Sequence, residues 1–250
     1  MATSQTVSEI PIALEDPIAH LPRAGIAVYK KGRSIFQQDQ PSTSLYRVID
    51  GRVKVARMAN NGRETIVDIY RTGDFFGEFA LLGLPRTLEQ ATALEDTKVM
   101  AWSAARIRTI FETRPKLAIA LLQIVMLRSL EYGHRIESLS VDSAERRLAR
   151  ALIYLSRRLG AAESDGAYRM PPFTHELLAQ YVGASRELVT QCMNEFRKQG
   201  YVGYSRDGIV LYRGAFDGWL DRIGTHVVKT RLDRLGADGD ATETAALKRA

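Results

Sequence analysis

The stretch FTHELLAQYVGASRELVTQCMNEFRKQGYV (residues 173–202) holds two runs of helical apolar spacing separated by one glycine. Thr174 is a good N-cap for a helix over Glu176 to Tyr181, with Leu177, Leu178 and Val182 apolar and Gly183 closing it. Ser185 caps a second helix, whose inward face reads as Leu188, Val189, Cys192, Met193 and Phe196. A tight turn through Gly183 sets the two helices at a wide angle and leaves the start of the second one projecting. Arg186, Glu187, Thr190 and Gln191 then fall on its outer face.

Those side chains suit the edges that a DNA major groove presents. Arginine bonds guanine O6 and N7 together, and glutamate accepts from cytosine N4. Their place in the first two turns fits a helix entering the groove N-terminus first. Phosphate contacts are expected from Thr174, Ser185, the helix N-terminal amides and the cations Arg197, Lys198 and Arg206. After the second helix, GYVGYSRDGIVLYR (200–213) alternates around Asp207-Gly208, which reads as the hairpin of a winged helix. Without that wing, the same residues would also fit a helical hairpin with solvated charges.

Working outward, residues 25–103 read as short alternating β segments with turn signals at Asp50-Gly51 and Asn60 to Gly62, giving a β-roll with hairpins at both. From Ala104 the period becomes helical. PKLAIALLQIVMLRSLEYGHRIESLSV (115–141) carries a seam at Ala118, Leu122, Val125, Ser129, Tyr132, Ile136 and Leu139, with the alternating spacing of a coiled coil. The seam serves either packing on the helix's own sheet or a parallel homodimer. A further helix begins at Asp142 or Ser143, presents Leu148, Leu152 and Leu155, and stops at Gly160; the loop GAAESDGAY (160–168) is polar.

The fold class expected is α+β: a β-roll sensor domain (22–114), a dimerisation helix (115–140) and a winged helix-turn-helix (141–213). A weakly ordered N-terminus (1–21) precedes them, and a C-terminal extension (214–250) follows, helical around Trp219, Leu220 and Ile223 and then loose.

The chain has 250 residues and a net charge of +6, but the excess is spread along it and singles out no region. Cys192 is the only cysteine, so an intramolecular disulfide or a cysteine-held cluster is excluded. The four histidines lack metal-ligand spacing. No apolar run approaches the roughly 18 residues of a membrane span, and no secretory signal opens the chain, so a cytoplasmic protein is expected. No nucleophile–base pair or paired carboxylates stand in a motif, which argues against an enzyme.

In order, the β-roll with RTGDFFGE (71–78), the long helix and the winged helix with VGASRELV (182–189) resemble the cyclic AMP receptor (CRP/FNR) family of bacterial transcription regulators, from about Val28 to Arg213. The resemblance implies a homodimer on a pseudo-palindromic double-stranded operator, with RNA polymerase as a partner. Arg186 and Glu187 take the family's base-reading positions, and Gln191 falls where the cyclic AMP receptor has another arginine.

The resemblance also marks an effector site at Gly77, Glu78, Phe79, Arg86, Thr87 and Tyr132, with cyclic AMP, cyclic GMP or cyclic di-GMP as candidate ligands. In nucleotide-binding members the glycine-glutamate pair holds the ribose, and a Pro-Arg-Ser/Thr-Ala run cradles the phosphate. Here Pro85-Arg86-Thr87 comes one residue early and brings Glu89, which repels phosphate, near the cradle; Tyr132 and Gly133 replace the family's Thr-Ser. The alternative class is a cyclic-nucleotide-responsive regulatory subunit acting through a protein partner.

Overall fold

A computed structural model of the chain describes residues 14–163, 166–205, 207–212, 214, 216, 218 and 219. Eight strands come first: β1 (Ile26–Tyr29), β2 (Ser34–Phe36), β3 (Ser44–Asp50), β4 (Val53–Met58), β5 (Glu64–Tyr70), β6 (Phe75–Phe76), β7 (Gln90–Ala93) and β8 (Thr97–Ser103). Three helices follow, α1 (Ala104–Thr113), α2 (Lys116–Val141) and α3 (Ala144–Leu159). Then come β9 (Ala161–Ala162), β10 (Ala167–Met170), α4 (His175–Val182), α5 (Arg186–Lys198), β11 (Val202–Ser205) and β12 (Gly208–Tyr212). The architecture is the expected α+β one: a sheet-built N-terminal part, a long helix and a winged helix-turn-helix.

Three four-stranded sheets form, in the orders β1-β8-β3-β6, β2-β7-β4-β5 and β11-β12-β10-β9. The turn at Asp50-Gly51 corrects one expectation. β3 pairs with β8 and β6, while β4 belongs to the other sheet, so this turn carries the chain between sheets and makes no hairpin. Gly51 is required there: its φ is 88°, and a Cβ on it would meet Thr97 Oγ1 at 2.7 Å and the Asp96 carbonyl at 2.8 Å.

The described chain falls into two compact units, one from the stretches up to Val53 and Thr72–Arg135, the other from Lys54–Arg71 and the described residues from Ile136 on. The first is centred on Leu21, Leu45, Phe75, Trp102, Ile107, Leu117 and Leu121. α1 starts at Ser103, whose hydroxyl accepts from Arg106 N. α2 buries Leu117, Ala120 and Leu121. The segment before Pro22, expected to be weakly ordered, is packed from Asp16 on: a 3-10 turn spans Pro17–Ala19, Leu21 enters the core, and Trp102 Nε1 donates to the Pro22 carbonyl at 2.8 Å.

In the second unit, Ser143 caps α3, and Leu148, Leu152 and Leu155 are fully buried beneath it. Asp142, just ahead of the cap, accepts from Ser138 Oγ at 2.7 Å and faces Arg146 at 3.3 Å and Arg150 at 2.8 Å. Asp68 of β5 is buried and paired with Arg158 of α3, whose guanidinium lies over the rings of Tyr70 and Tyr154. The GAAESDGAY stretch, expected as a loop, contributes β9 and β10, which pair antiparallel. Within the stretch expected as a C-terminal extension, Phe216 is 0% exposed and packs edge-on to Phe196, centroids 4.8 Å apart, with Trp219 5.7 Å from Phe196. Leu220, Ile223 and the remainder of the expected extension lie outside the described residues, as does Arg213.

Candidate nucleic-acid interface

The helix pair forms because each end has its own satisfied cap. Thr174 Oγ1 accepts from Leu177 N at 3.1 Å, and Ser185 Oγ from Leu188 N at 3.2 Å. Each hydroxyl, accepting in its cap, keeps its own hydrogen to donate. Gly183 ends α4 in the left-handed region at φ 67°. Arg147 of α3 secures the same turn: its guanidinium donates to the carbonyls of Val182 (3.0 Å), Gly183 (3.3 Å) and Asp142 (3.0 Å). Nothing in the sequence pattern singles Arg147 out, because it is one of several arginines on a helix whose apolar face sets the period.

α5 buries Val189, Cys192, Met193 and Phe196. Leu188 does not join them, although the sequence places it inside. It is 38% exposed, because one residue back from Val189 turns the side chain by about 100° around the helix. Arg186, Glu187, Gln191, Arg197 and Lys198 are exposed, and so is Asn194, which the sequence reading passed over. Arg206 lies outside the described residues.

Thr190 is half-buried and engaged. Its hydroxyl donates to the Arg186 carbonyl at 2.8 Å and lies 2.8 Å from His175 Nδ1; His175 Nε2 lies 3.3 Å from Tyr204 OH in β11. With the Thr190 hydrogen committed to Arg186, His175 Nδ1–H is the donor to Thr190 and Nε2 accepts from Tyr204. This is the neutral imidazole, and burial, seconded by the nearby Arg186 charge, pushes the His175 pKa below its usual value. The chain Tyr204–His175–Thr190–Arg186 links the wing, the first helix and the tip of the second. Burial, with the Glu145 carboxylate behind it, pushes the Cys192 thiol up, which leaves little reactive thiolate on this core residue.

On α2, Leu122 (58%), Val125, Ile136 (65%) and Leu139 are exposed, as is Ser129, while Tyr132 is half-buried. Ile119, Met126 (59%) and Leu130 add exposed apolar surface that the strict seam spacing did not select. Leu139 also lies beside the helix-turn-helix, where a Cβ on Gly183 would touch its Cδ2 at 3.5 Å.

The six candidate effector residues are brought to one unit, but their polar groups are engaged by the protein. Gly77 holds φ 79° and a Cβ there would meet Tyr46 at 2.8 Å and the Ser44 carbonyl at 2.9 Å. Glu78 opens the 3-10 turn that contains Phe79 and is paired with Arg128 of α2 at 2.9 Å, while the same guanidinium donates to the Phe75 carbonyl. Arg86, exposed, donates to the Asp39 carbonyl at 2.5 Å. Thr87 is buried; its hydroxyl donates to the Glu89 carbonyl at 3.1 Å and accepts from Glu89 N at 3.2 Å. Glu89 is only 6% exposed, so a carboxylate sits inside the segment that would cradle a phosphate. Among the described residues, no helix is long and apolar enough to cross a membrane, and no cluster of three His, Cys, Asp or Glu side chains could hold a metal.

Comparison with known proteins matches both parts. Residues 26–114 match the family model of a cyclic nucleotide-binding domain, and residues 146–213 that of a Crp-like helix-turn-helix domain. The chain is 30% identical over 177 residues to the transcriptional regulator SdrP of Thermus thermophilus, spanning 70% of this chain and 83% of that one. It is 29% identical over 183 residues to the CRP-like cAMP-activated global transcriptional regulator of Mycobacterium tuberculosis, spanning 73% and 82%. The crystal structure of a CRP/FNR-family transcriptional regulator from Thermus thermophilus superposes with a TM-score of 0.66 at 27% identity, covering 80% of this chain and 100% of that one.

Proposed function

The chain belongs to the CRP/FNR family of DNA-binding transcription regulators, and from this premise we propose that it acts in the cytoplasm as a homodimer on a pseudo-palindromic operator. The observation that carries the reading is the capped tip of α5, with Arg186 and Glu187 exposed in its first turn. Arg186 takes a guanine edge and Glu187 a cytosine amino group. The hydroxyls of Thr174 and Ser185, with Arg197 and Lys198 at the far end of α5 and the Arg206 cation of the sequence, hold phosphates and fix the register. The apolar stripe of α2 supplies the dimer contact, and two such helices set the recognition helices about one DNA turn, roughly 34 Å, apart. RNA polymerase is the partner such a regulator addresses once bound.

DNA binding by this chain does not depend on a cyclic nucleotide. The buried Glu89 carboxylate disfavours a phosphate beside it, Thr87 is engaged with Glu89, and Glu78 is paired with Arg128. The cAMP activation named for the mycobacterial relative is a property of that protein. The test is selection of binding sites from random duplexes, with and without cyclic AMP, cyclic GMP and cyclic di-GMP. A pseudo-palindromic site recovered equally under all conditions is expected, and recovery only with one nucleotide would overturn the ligand-free reading. Arg186→Ala should cost about 1–3 kcal/mol at the selected site and relax one base position. Equal loss on scrambled DNA would make Arg186 a phosphate contact instead.

A further inference from the structure

We infer that each half-site contains an A·T pair read by Gln191 and Leu188: Gln191 bonds the adenine edge, and Leu188 covers a neighbouring thymine methyl. This rests on the DNA-binding reading above and assigns base chemistry to two positions that it leaves open.

The tip of α5 divides its polar groups clearly. Thr190 is tied to Arg186 and His175, so its hydroxyl is committed inside the protein. Gln191 is exposed and holds a primary amide, which offers a donor and an acceptor side by side. Adenine N7 and N6–H2 present the complementary pair, and no other base edge in the major groove matches an amide in both atoms. Gln191 follows Glu187 by four residues and Leu188 by three, so all three share the turn of the helix that enters the groove.

Leu188 is the feature that core packing does not account for. It is a large apolar side chain held 38% exposed in the first turn, between the Ser185 cap and Gln191. Beside an amide reading adenine, the apolar group that the major groove offers is the thymine C5-methyl. Covering it removes apolar surface from both partners, and a protein hydroxyl or charge at that place would gain nothing from the methyl.

The test uses the full chain and sites selected from random duplexes. The wild type should require adenine at one position per half-site. Gln191→Arg should shift that position to guanine by about tenfold or more, and Gln191→Ala should flatten that position while the others persist. Each thymine of the half-site is then replaced singly by deoxyuridine, which removes only the methyl. One replacement should weaken the wild type about fourfold, the factor that one buried methyl-sized group supplies, and leave Leu188→Ala unaffected. If the wild type has a defined site but Gln191→Arg selects the same one, or the uracil scan is flat or weakens both proteins equally, the inference fails while the regulator reading stands. A wild type that selects no sequence would overturn both.

Discussion

His175 joins the three pieces that any groove contact depends on, and it can do so only while neutral. Its Nε2 accepts from Tyr204, and a second proton would leave two donors facing each other. Because its pKa in the fold lies below the ordinary 6.5, the folded protein binds less proton than the unfolded chain in this range. The resulting stability is complete above about 6.5 and is lost as pH falls through the lower folded value. Denaturant midpoints of the wild type should therefore fall between neutral and mildly acidic pH, and His175→Gln should fall less. Parallel declines in the two proteins would remove His175 from the explanation. None of this was legible from the sequence, where His175 is a lone histidine following a cap. Tyr204, the residue that fixes its tautomer, arrives from 29 positions away. Leu188 shows a related limit: apolar identity placed it inside, but the angle around the helix axis decides, and Val189 already occupies the inward direction.

The helix-turn-helix was legible almost to the residue, because caps and a left-handed glycine are local chemistry. Thr174, Gly183 and Ser185 each act within four residues of themselves. Strand pairing was less so. Asp50-Gly51 has a hairpin's composition, yet β3 pairs with β8 and β6 from distant parts of the chain, and Asp96 and Thr97 leave no room for a Cβ on Gly51. The packing role of Phe216 was hidden for a similar reason: 214 onward has helical spacing, but only the fold shows Phe216 against Phe196 and Tyr201. Phe216→Ala should cost about 3–5 kcal/mol of unfolding free energy, read from denaturant titration. A loss below about 1 kcal/mol would mean that the site collapses around the gap or that the contact is incidental.

In the proposed assembly, the exposed stripe of α2 joins the two chains on the operator. Leu122 and Met126 lie one turn apart on it, both more than half exposed. Replacing both with glutamate places like charges along the exposed stripe of each helix. Sedimentation should then report a monomer where the wild type is a dimer, with the thermal midpoint little changed since neither side chain is part of the monomer core. A dimer of undiminished strength would relocate the interface.

The effector question shows how far family likeness reaches. The resemblance marks the glycine-glutamate element as a candidate site, but the fold pairs Glu78 with Arg128 and buries Glu89, and neither feature is written in the motif. Operator binding by the proposed dimer depends on a fixed distance between two copies of the α5 tip. That distance is measured most directly by titrating the protein on its selected operator with the half-sites as found, and again with five base pairs inserted between them, about half a helical turn. The insertion turns one half-site to the opposite face of the duplex, and affinity is expected to fall about a hundredfold, toward that of a single half-site. Equal affinity for the two duplexes would contradict the claim that paired helices read them together.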